Sequence, residues 1–254
     1  MSMAVKNSTD EYHHLTSDVM YTECNIPGPG IDIEEFESEF TMGCECQTEC
    51  LTNQCVCTRK NQNYIGDCLL DDKSGPIVEC NFNCTCRENC GNKLVQKGPL
   101  NCLSIVQSEG RGLGLSTSGF IRKGQFICEY AGEVIGIAEA RRRFEENRKS
   151  MNYVIVISEY VGEEMVTTCI DPKYFGNIGR YCNHSCEPNA NLVPIRVEKA
   201  SPRLCLFARR DIETGEEITF HYAEGVDTSV QNLSETTCLC GSSTCLRYLP
   251  HHSV

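Results

Sequence analysis

Apolar residues lie along this chain in short runs, not in long stretches or helical stripes. Leu103-Ser104-Ile105-Val106, Gln125-Phe126-Ile127-Cys128-Glu129-Tyr130, Tyr153-Val154-Ile155-Val156-Ile157 and Leu204-Cys205-Leu206-Phe207-Ala208 are rich in β-branched and aromatic residues. That composition suits strands on a pleated, half-buried surface. Gly110-Arg111-Gly112, Gly124, Gly132, Gly176-Asn177 and Gly215 lie between or beside them and predict turns. One segment, Ile137 to Arg148, predicts a helix from Ala138, Glu139 and Ala140. Its run Arg141-Arg142-Arg143 reads as a solvated helix face. The pattern as a whole predicts a mainly β fold with minor α and no internal repeat. Residues 1–40 read as a weakly ordered leader. Within it, Ile31-Asp32-Ile33-Glu34-Glu35-Phe36-Glu37 is acidic with interspersed apolar positions and carries no evident chemistry.

Cysteine changes this picture most. The chain has 254 residues and 20 cysteines. Met1 to Asp10 lacks the apolar core of a signal peptide, and no run approaches the length of a membrane span. The expectation is an intracellular protein with reduced thiols. Five cysteines come as Cys44-x-Cys46-x3-Cys50-x4-Cys55-x-Cys57, and four more as Cys80-x3-Cys84-x-Cys86-x3-Cys90. Two members of a C-x-C pair are poorly placed to bridge each other, but both can ligate a metal. Zinc prefers four thiolates. Nine ligands serve three zinc ions if three thiolates bridge. Such closed sites are structural, since they leave no position for water, and they replace a hydrophobic core. A last group, Cys238-x-Cys240-x4-Cys245, offers three ligands and needs a fourth. Cys68 stands outside both groups and reads as a spare thiol.

The formal charge is −12. Acidity of this size disfavours direct binding to a nucleic-acid backbone. It either favours a basic protein partner or serves solubility alone.

The remaining motifs carry a family resemblance. Gly179-Arg180-Tyr181-Cys182-Asn183-His184-Ser185-Cys186-Glu187-Pro188-Asn189 resembles the signature of the SET-domain lysine methyltransferases. Arg111-Gly112-Leu113-Gly114-Leu115 resembles their cofactor loop, Glu129-Tyr130-Ala131-Gly132-Glu133 an early strand motif, and Gly215-Glu216-Glu217-Ile218-Thr219-Phe220-His221-Tyr222 the segment bearing the catalytic tyrosine. The nine-cysteine array resembles a pre-SET module, and the terminal group a post-SET module. The likeness spans roughly residues 40 to 250 in the family's order. It implies a SET-domain β-fold with a pseudoknot, flanked by a three-zinc pre-SET cluster and a one-zinc post-SET loop. The chain then divides into a leader (1–40), a pre-SET zinc module (41–98), a SET catalytic domain (99–223) and a post-SET zinc module (235–251).

The resemblance also implies a reaction: transfer of a methyl group from S-adenosylmethionine to a lysine of a histone tail, in the nucleus, on chromatin. The attacking amine must be neutral, although free lysine has a pKa of about 10.4. By the resemblance Tyr222 is the catalytic tyrosine, and Tyr130 and Phe220 line the lysine channel. A phenylalanine at 220 leaves room for higher methylation. Arg111, Gly112, Leu113, Tyr153, Arg180, Asn183 and His184 are expected to hold the cofactor, and Cys186 to complete the zinc site of Cys238, Cys240 and Cys245. Two departures from the family pattern stand out: His221 before the tyrosine, and Ala223-Glu224-Gly225 where relatives place covering aromatics. Two rival readings remain open: a methyltransferase of non-histone proteins, and a catalytically weak, zinc-scaffolded chromatin-binding module.

Overall fold

A computed structural model describes residues 19–48, 50, 55–58, 62–70, 76–147, 152–223 and 232–251. Three four-stranded sheets form the frame. In the first, Leu103–Ser108 turns back on Gly112–Thr117, with Ser108 opposite Gly112. Gly110 and Gly112 close this hairpin at φ of 69° and 74°, a backbone conformation that other residues adopt at a cost. Gly112–Thr117 then pairs antiparallel with Glu217–Phe220, and that strand lies parallel to Asn183–His184. In the second sheet, Ala190–Arg196, Arg203–Ala208 and Phe126–Tyr130 are antiparallel neighbours, with Ile77–Val78 added at one edge. The third joins Ile155–Val161, Glu164–Asp171, Glu133–Ile135 and Ile26–Pro27.

The sheets share one apolar core. Leu115, Ile121, Ile127, Ile170, Leu204, Leu206, Ile212, Ile218 and Phe220 are fully buried within it. Each such side chain contributes roughly 1.5–3 kcal/mol. The pre-SET region differs in kind, for its cluster contains only cysteines. Ile77, Leu94 and Val95 of this region pack instead against Ile195 and Phe207 of the second sheet, so cohesion within the cysteine cluster itself must come through sulfur.

The four strands expected from the pattern are present, and the helix runs Ile137–Glu146. The strand expected from Tyr153 begins two residues later. The Asn152 side chain accepts the Val154 amide, and the Tyr153 carbonyl is taken by the Tyr130 hydroxyl.

Two readings need correction. From residue 19 onward the leader belongs to the fold. Ile26–Pro27 adds a parallel strand beside Glu133–Val134. Asp32 caps the helix Ile33–Glu37 by accepting the amides of Glu34 and Glu35, and Phe36 is buried in the core. The arginine run is not uniformly solvated either. Arg142 faces outward and pairs with Glu139 and Glu146. Arg143 turns inward, because that helical phase faces the sheet. It meets Asp171 at 2.7 Å, Glu133 at 2.9 Å and Glu139 at 2.8 Å. Cys68 sits in a small hairpin, Tyr64–Ile65 with Cys68–Leu69, docked on Gln125.

Candidate functional site

Strand ends deliver the aromatic residues to one place. Tyr130 ends Phe126–Tyr130, Phe220 ends Glu217–Phe220, and Tyr222 follows two residues on. The Tyr130 and Phe220 rings meet edge to face at 5.7 Å. Phe220 and Tyr222 lie 5.0 Å apart, and Tyr222 and His184 5.3 Å. The Tyr130 hydroxyl donates to the Tyr153 carbonyl at 2.6 Å, and the Tyr222 hydroxyl approaches the Cys182 carbonyl at 3.4 Å. Burial raises the pKa of both phenols, reinforced by Cys182 and Tyr153 around Tyr222 and by Tyr222 and Asp171 around Tyr130. Both hydroxyls therefore stay protonated at neutral pH.

A second wall adjoins this one. A Cβ added at Gly112 would meet nothing within 4 Å, so the loop presents bare backbone to open space. The Asn183 amide donates to the Leu113 carbonyl at 3.1 Å and to Glu217 at 2.7 Å. Glu217 also accepts from Ser108 at 2.9 Å and from Arg111 at 2.6 Å. Arg111 Nε is buried and has no hydrogen-bond partner among the described residues. The Arg180 guanidinium lies 4.6 Å over the Tyr153 ring, with its Nε donating to Pro172. His184 joins the walls: its Nδ1 accepts the Tyr222 amide at 3.2 Å, while Nε2 lies 3.4 Å from Cys186 Sγ. Burial, then His221 and Arg111, push its pKa down to about 3, so the ring is neutral. His221 faces that ring at 4.9 Å.

Sequence reasoning assigned no role to Glu217 or Asn189. Glu217 ties three segments of the second wall together. A Cβ on Gly114 would come within 2.5 Å of it, so glycine is needed there. Asn189 accepts the Thr219 amide at 2.8 Å and donates to the Glu217 carbonyl at 2.9 Å. Both lie inside quoted motifs, but a polar residue in a motif does not reveal its partners.

The cysteines converge as their spacing suggested. Cys44, Cys80, Cys84 and Cys86 form one set whose sulfurs all lie within 4.8 Å of one another; Cys44, Cys50, Cys55 and Cys80 form a second, and Cys50, Cys80, Cys86 and Cys90 a third. Cys57 stands 3.7 Å from Cys84, and Cys46 packs against the same cluster. On the far flank Cys186, Cys238, Cys240 and Cys245 make a fourth set. Sulfur separations such as 3.3 Å for Cys50–Cys80 and 3.9 Å for Cys186–Cys238 are too long for disulfides. They are near the spacing of about 3.8 Å that tetrahedral Zn–S bonds of about 2.3 Å impose. The donor set and its geometry fit zinc.

An aromatic cluster and a glycine-bearing wall thus sit on this β frame between two thiol clusters, and comparison with known proteins gives the class as the SET-domain proteins. The SET domain model matches residues 112–223, and the Pre-SET motif model matches residues 1–93. Histone-lysine N-methyltransferase SETMAR of Homo sapiens is 40% identical over 251 residues, which is 92% of this chain but only 36% of SETMAR. Probable histone-lysine N-methyltransferase set-23 of Caenorhabditis briggsae is 40% identical over 231 residues, covering 89% of this chain and 93% of set-23. The crystal structure of the methyltransferase domain of human SETMAR superposes with a TM-score of 0.83 at 38% identity, covering 93% of this chain and 91% of that one. KRYPTONITE in complex with mCHH DNA, an H3(1-15) peptide and SAH superposes with a TM-score of 0.72 at 26% identity, covering 96% of this chain and 50% of that one. The chain belongs to the SET-domain histone-lysine N-methyltransferase family.

Proposed function

We propose that the chain methylates a lysine of a histone tail, using S-adenosylmethionine, on chromatin in the nucleus. The observation that carries this reading is the Tyr222 amide bonded to His184, which joins the aromatic channel to the second wall. When bound, S-adenosylmethionine supplies an electrophilic methyl group. The loop of Arg111, Gly112 and Leu113 would hold the cofactor, with Asn183, His184, Tyr153 and Arg180 completing its pocket. The buried, unpartnered Arg111 Nε–H suits an anionic group such as a carboxylate. Tyr130 and Phe220 exclude water from the lysine, and the Tyr222 hydroxyl orients its amine. The apolar channel favours the neutral amine by penalising the ammonium form.

The substrate reading rests on the net charge of −12 and on the H3 peptide held by KRYPTONITE. In the pre-SET region Cys80 recurs in all three ligand sets and Cys44, Cys50 and Cys86 in two each, so the bridging thiolates of a three-zinc cluster are drawn from these four. Cys46, Cys55, Cys57, Cys84 and Cys90 then act as terminal ligands, with the remaining one of those four. A fourth zinc on Cys186, Cys238, Cys240 and Cys245 fastens the C-terminal segment beside His184. Ligating thiolates outnumber the charge of the zinc they hold, so the loaded chain is more acidic still.

The test is methylation of histone octamers and peptide arrays by the wild-type chain and Tyr222→Phe. The variant should lose activity by about two orders of magnitude, the scale of one misplaced polar group in a reaction centre. Its affinity for S-adenosylhomocysteine should be unchanged. Equal activity in both proteins, or activity in neither, would refute the reading.

A further inference from the structure

Elsewhere the molecule has a recess partly open to solvent, and none of its lining residues belongs to the aromatic cluster or the second wall. This cavity, of about 270 Å³, lies between the helix Ile33–Glu37, the strand Glu164–Asp171 and the loop that follows Ala190–Arg196. Phe36, Phe40, Val134, Val161 and Val166 give it apolar walls. Arg196 also lines it, buried, stacked 4.7 Å over Phe40 and paired at two points with Glu159 at 2.8 and 2.9 Å. Ser201 lines it too, with its hydroxyl buried and without a hydrogen-bond partner among the described residues. Asp32 and Glu35 belong to the lining, with Glu34 exposed beside them. Ile33, on the helix that walls the cavity, is 65% exposed.

We propose that this cavity docks a segment of a partner protein in which one large apolar side chain is carried between basic residues. The volume lies just below that of a drug-sized pocket and suits a single side chain. An inserted cation would find no free counter-charge beside Arg196, because the Glu159 carboxylate there is already taken. An apolar side chain matches the apolar walls without that cost. The carboxylates at the opening face the residues flanking that anchor. The nearby cation, Lys199, is already held by Glu37 at 2.8 Å and lies over the Phe36 ring, so the rim retains its negative charge. A buried anchor ringed by complementary charge is the usual anatomy of a peptide-docking hot spot.

The probe is a fluorescein-labelled, lysine-free peptide with one phenylalanine flanked on each side by two arginines and Gly-Ser spacers. Without lysine it cannot serve as a methyl acceptor. Its anisotropy is titrated with the zinc-loaded full chain. Saturable binding is expected, with affinity reduced about tenfold when the peptide phenylalanine becomes alanine. Glu35→Lys and the cavity-filling Ser201→Trp should weaken binding to a similar degree and leave histone methylation unchanged. Excess unlabelled histone H3 tail peptide should not displace the probe. Should Ser201→Trp fail to fold, Glu35→Lys and the peptide pair decide the matter. The proposal is overturned by absence of saturable binding up to about 1 mM, by equal affinity for the two peptides, by indifference to Glu35→Lys, or by displacement with the H3 peptide.

Discussion

A carboxylate that accepts from Ser108, Arg111 and Asn183 sets the geometry of the second wall, and this gives Glu217 a testable part. Hydrogen bonds to a charged group are each worth roughly 1.5–3 kcal/mol. Glu217→Gln keeps the shape but loses the charge opposite Arg111. It should weaken S-adenosylhomocysteine binding by about tenfold in calorimetry, with little change in KM for the histone peptide. An equal loss for both ligands would point to general unfolding. Glu129 makes a different prediction. Its carboxyl is buried, one oxygen lacks a hydrogen-bond partner among the described residues, and Arg203 stands 3.7 Å away. Burial, helped by Glu23 and opposed by Arg203, pushes its pKa up to about 7. The folded protein therefore keeps this proton at pH values where the unfolded chain, near 4.5, has lost it. Stability from this group is greatest below about pH 4.5, falls as the pH rises towards 7, and levels off above that. Wild type should thus lose Tm relative to Glu129→Gln between about pH 5 and pH 8. A constant difference would refute the assignment.

At the scale of elements, the terminal cysteine loop should matter for activity more than for stability. Cys186, Cys240 and Cys245 are half-buried, and among the described residues the strand Asn232–Thr237 pairs only with Tyr248–His251. Cys240→Ala should leave the thermal transition within a few degrees of wild type, yet abolish methylation by releasing the segment from Cys186. A folded variant with full activity would show that the loop does not staple the site. The elements also divide by how plainly the sequence announces them. Runs such as Phe126–Tyr130 and Arg203–Ala208 are legible because nearly all of their side chains are buried on both strand faces and, Glu129 and Arg203 apart, are apolar. Ile26–Pro27 is not, since a two-residue strand has no periodicity and its partner lies at Glu133–Val134. The cysteine sets are legible because ligand spacing is itself local. Glu217 is not, because its role depends on residues 108, 111 and 183, which only the fold brings to it. Arg143 misled the sequence reading for a similar reason: three identical residues hid the one that faces Asp171.

For the molecule as a whole, cohesion has two unlike sources. The sheets bury a common aliphatic core, while the pre-SET cluster has only sulfur at its centre. Elemental analysis should find four zinc ions per chain. Graded chelation should remove the ion at the half-exposed terminal set first, taking activity with it before any change in far-ultraviolet circular dichroism. Removal of the other three should then unfold the N-terminal third. Loss of structure before loss of activity would contradict this order.

The way distant segments meet also has a consequence in time. Ile26–Pro27 lies beside residues made more than a hundred positions later, and Asn183–His184 lies beside Thr219–Phe220. Cys186 waits for cysteines beyond residue 237. As the chain leaves the ribosome, at roughly 5–20 residues per second, each early piece emerges without its neighbour. Thiols and strand edges stay open to oxidation and mispairing for seconds. Long-range pairing of this kind is slow even once the neighbour arrives. A nascent chain halted after Tyr222 would hold every proposed catalytic side chain and still lack three of the four sulfurs that close over them.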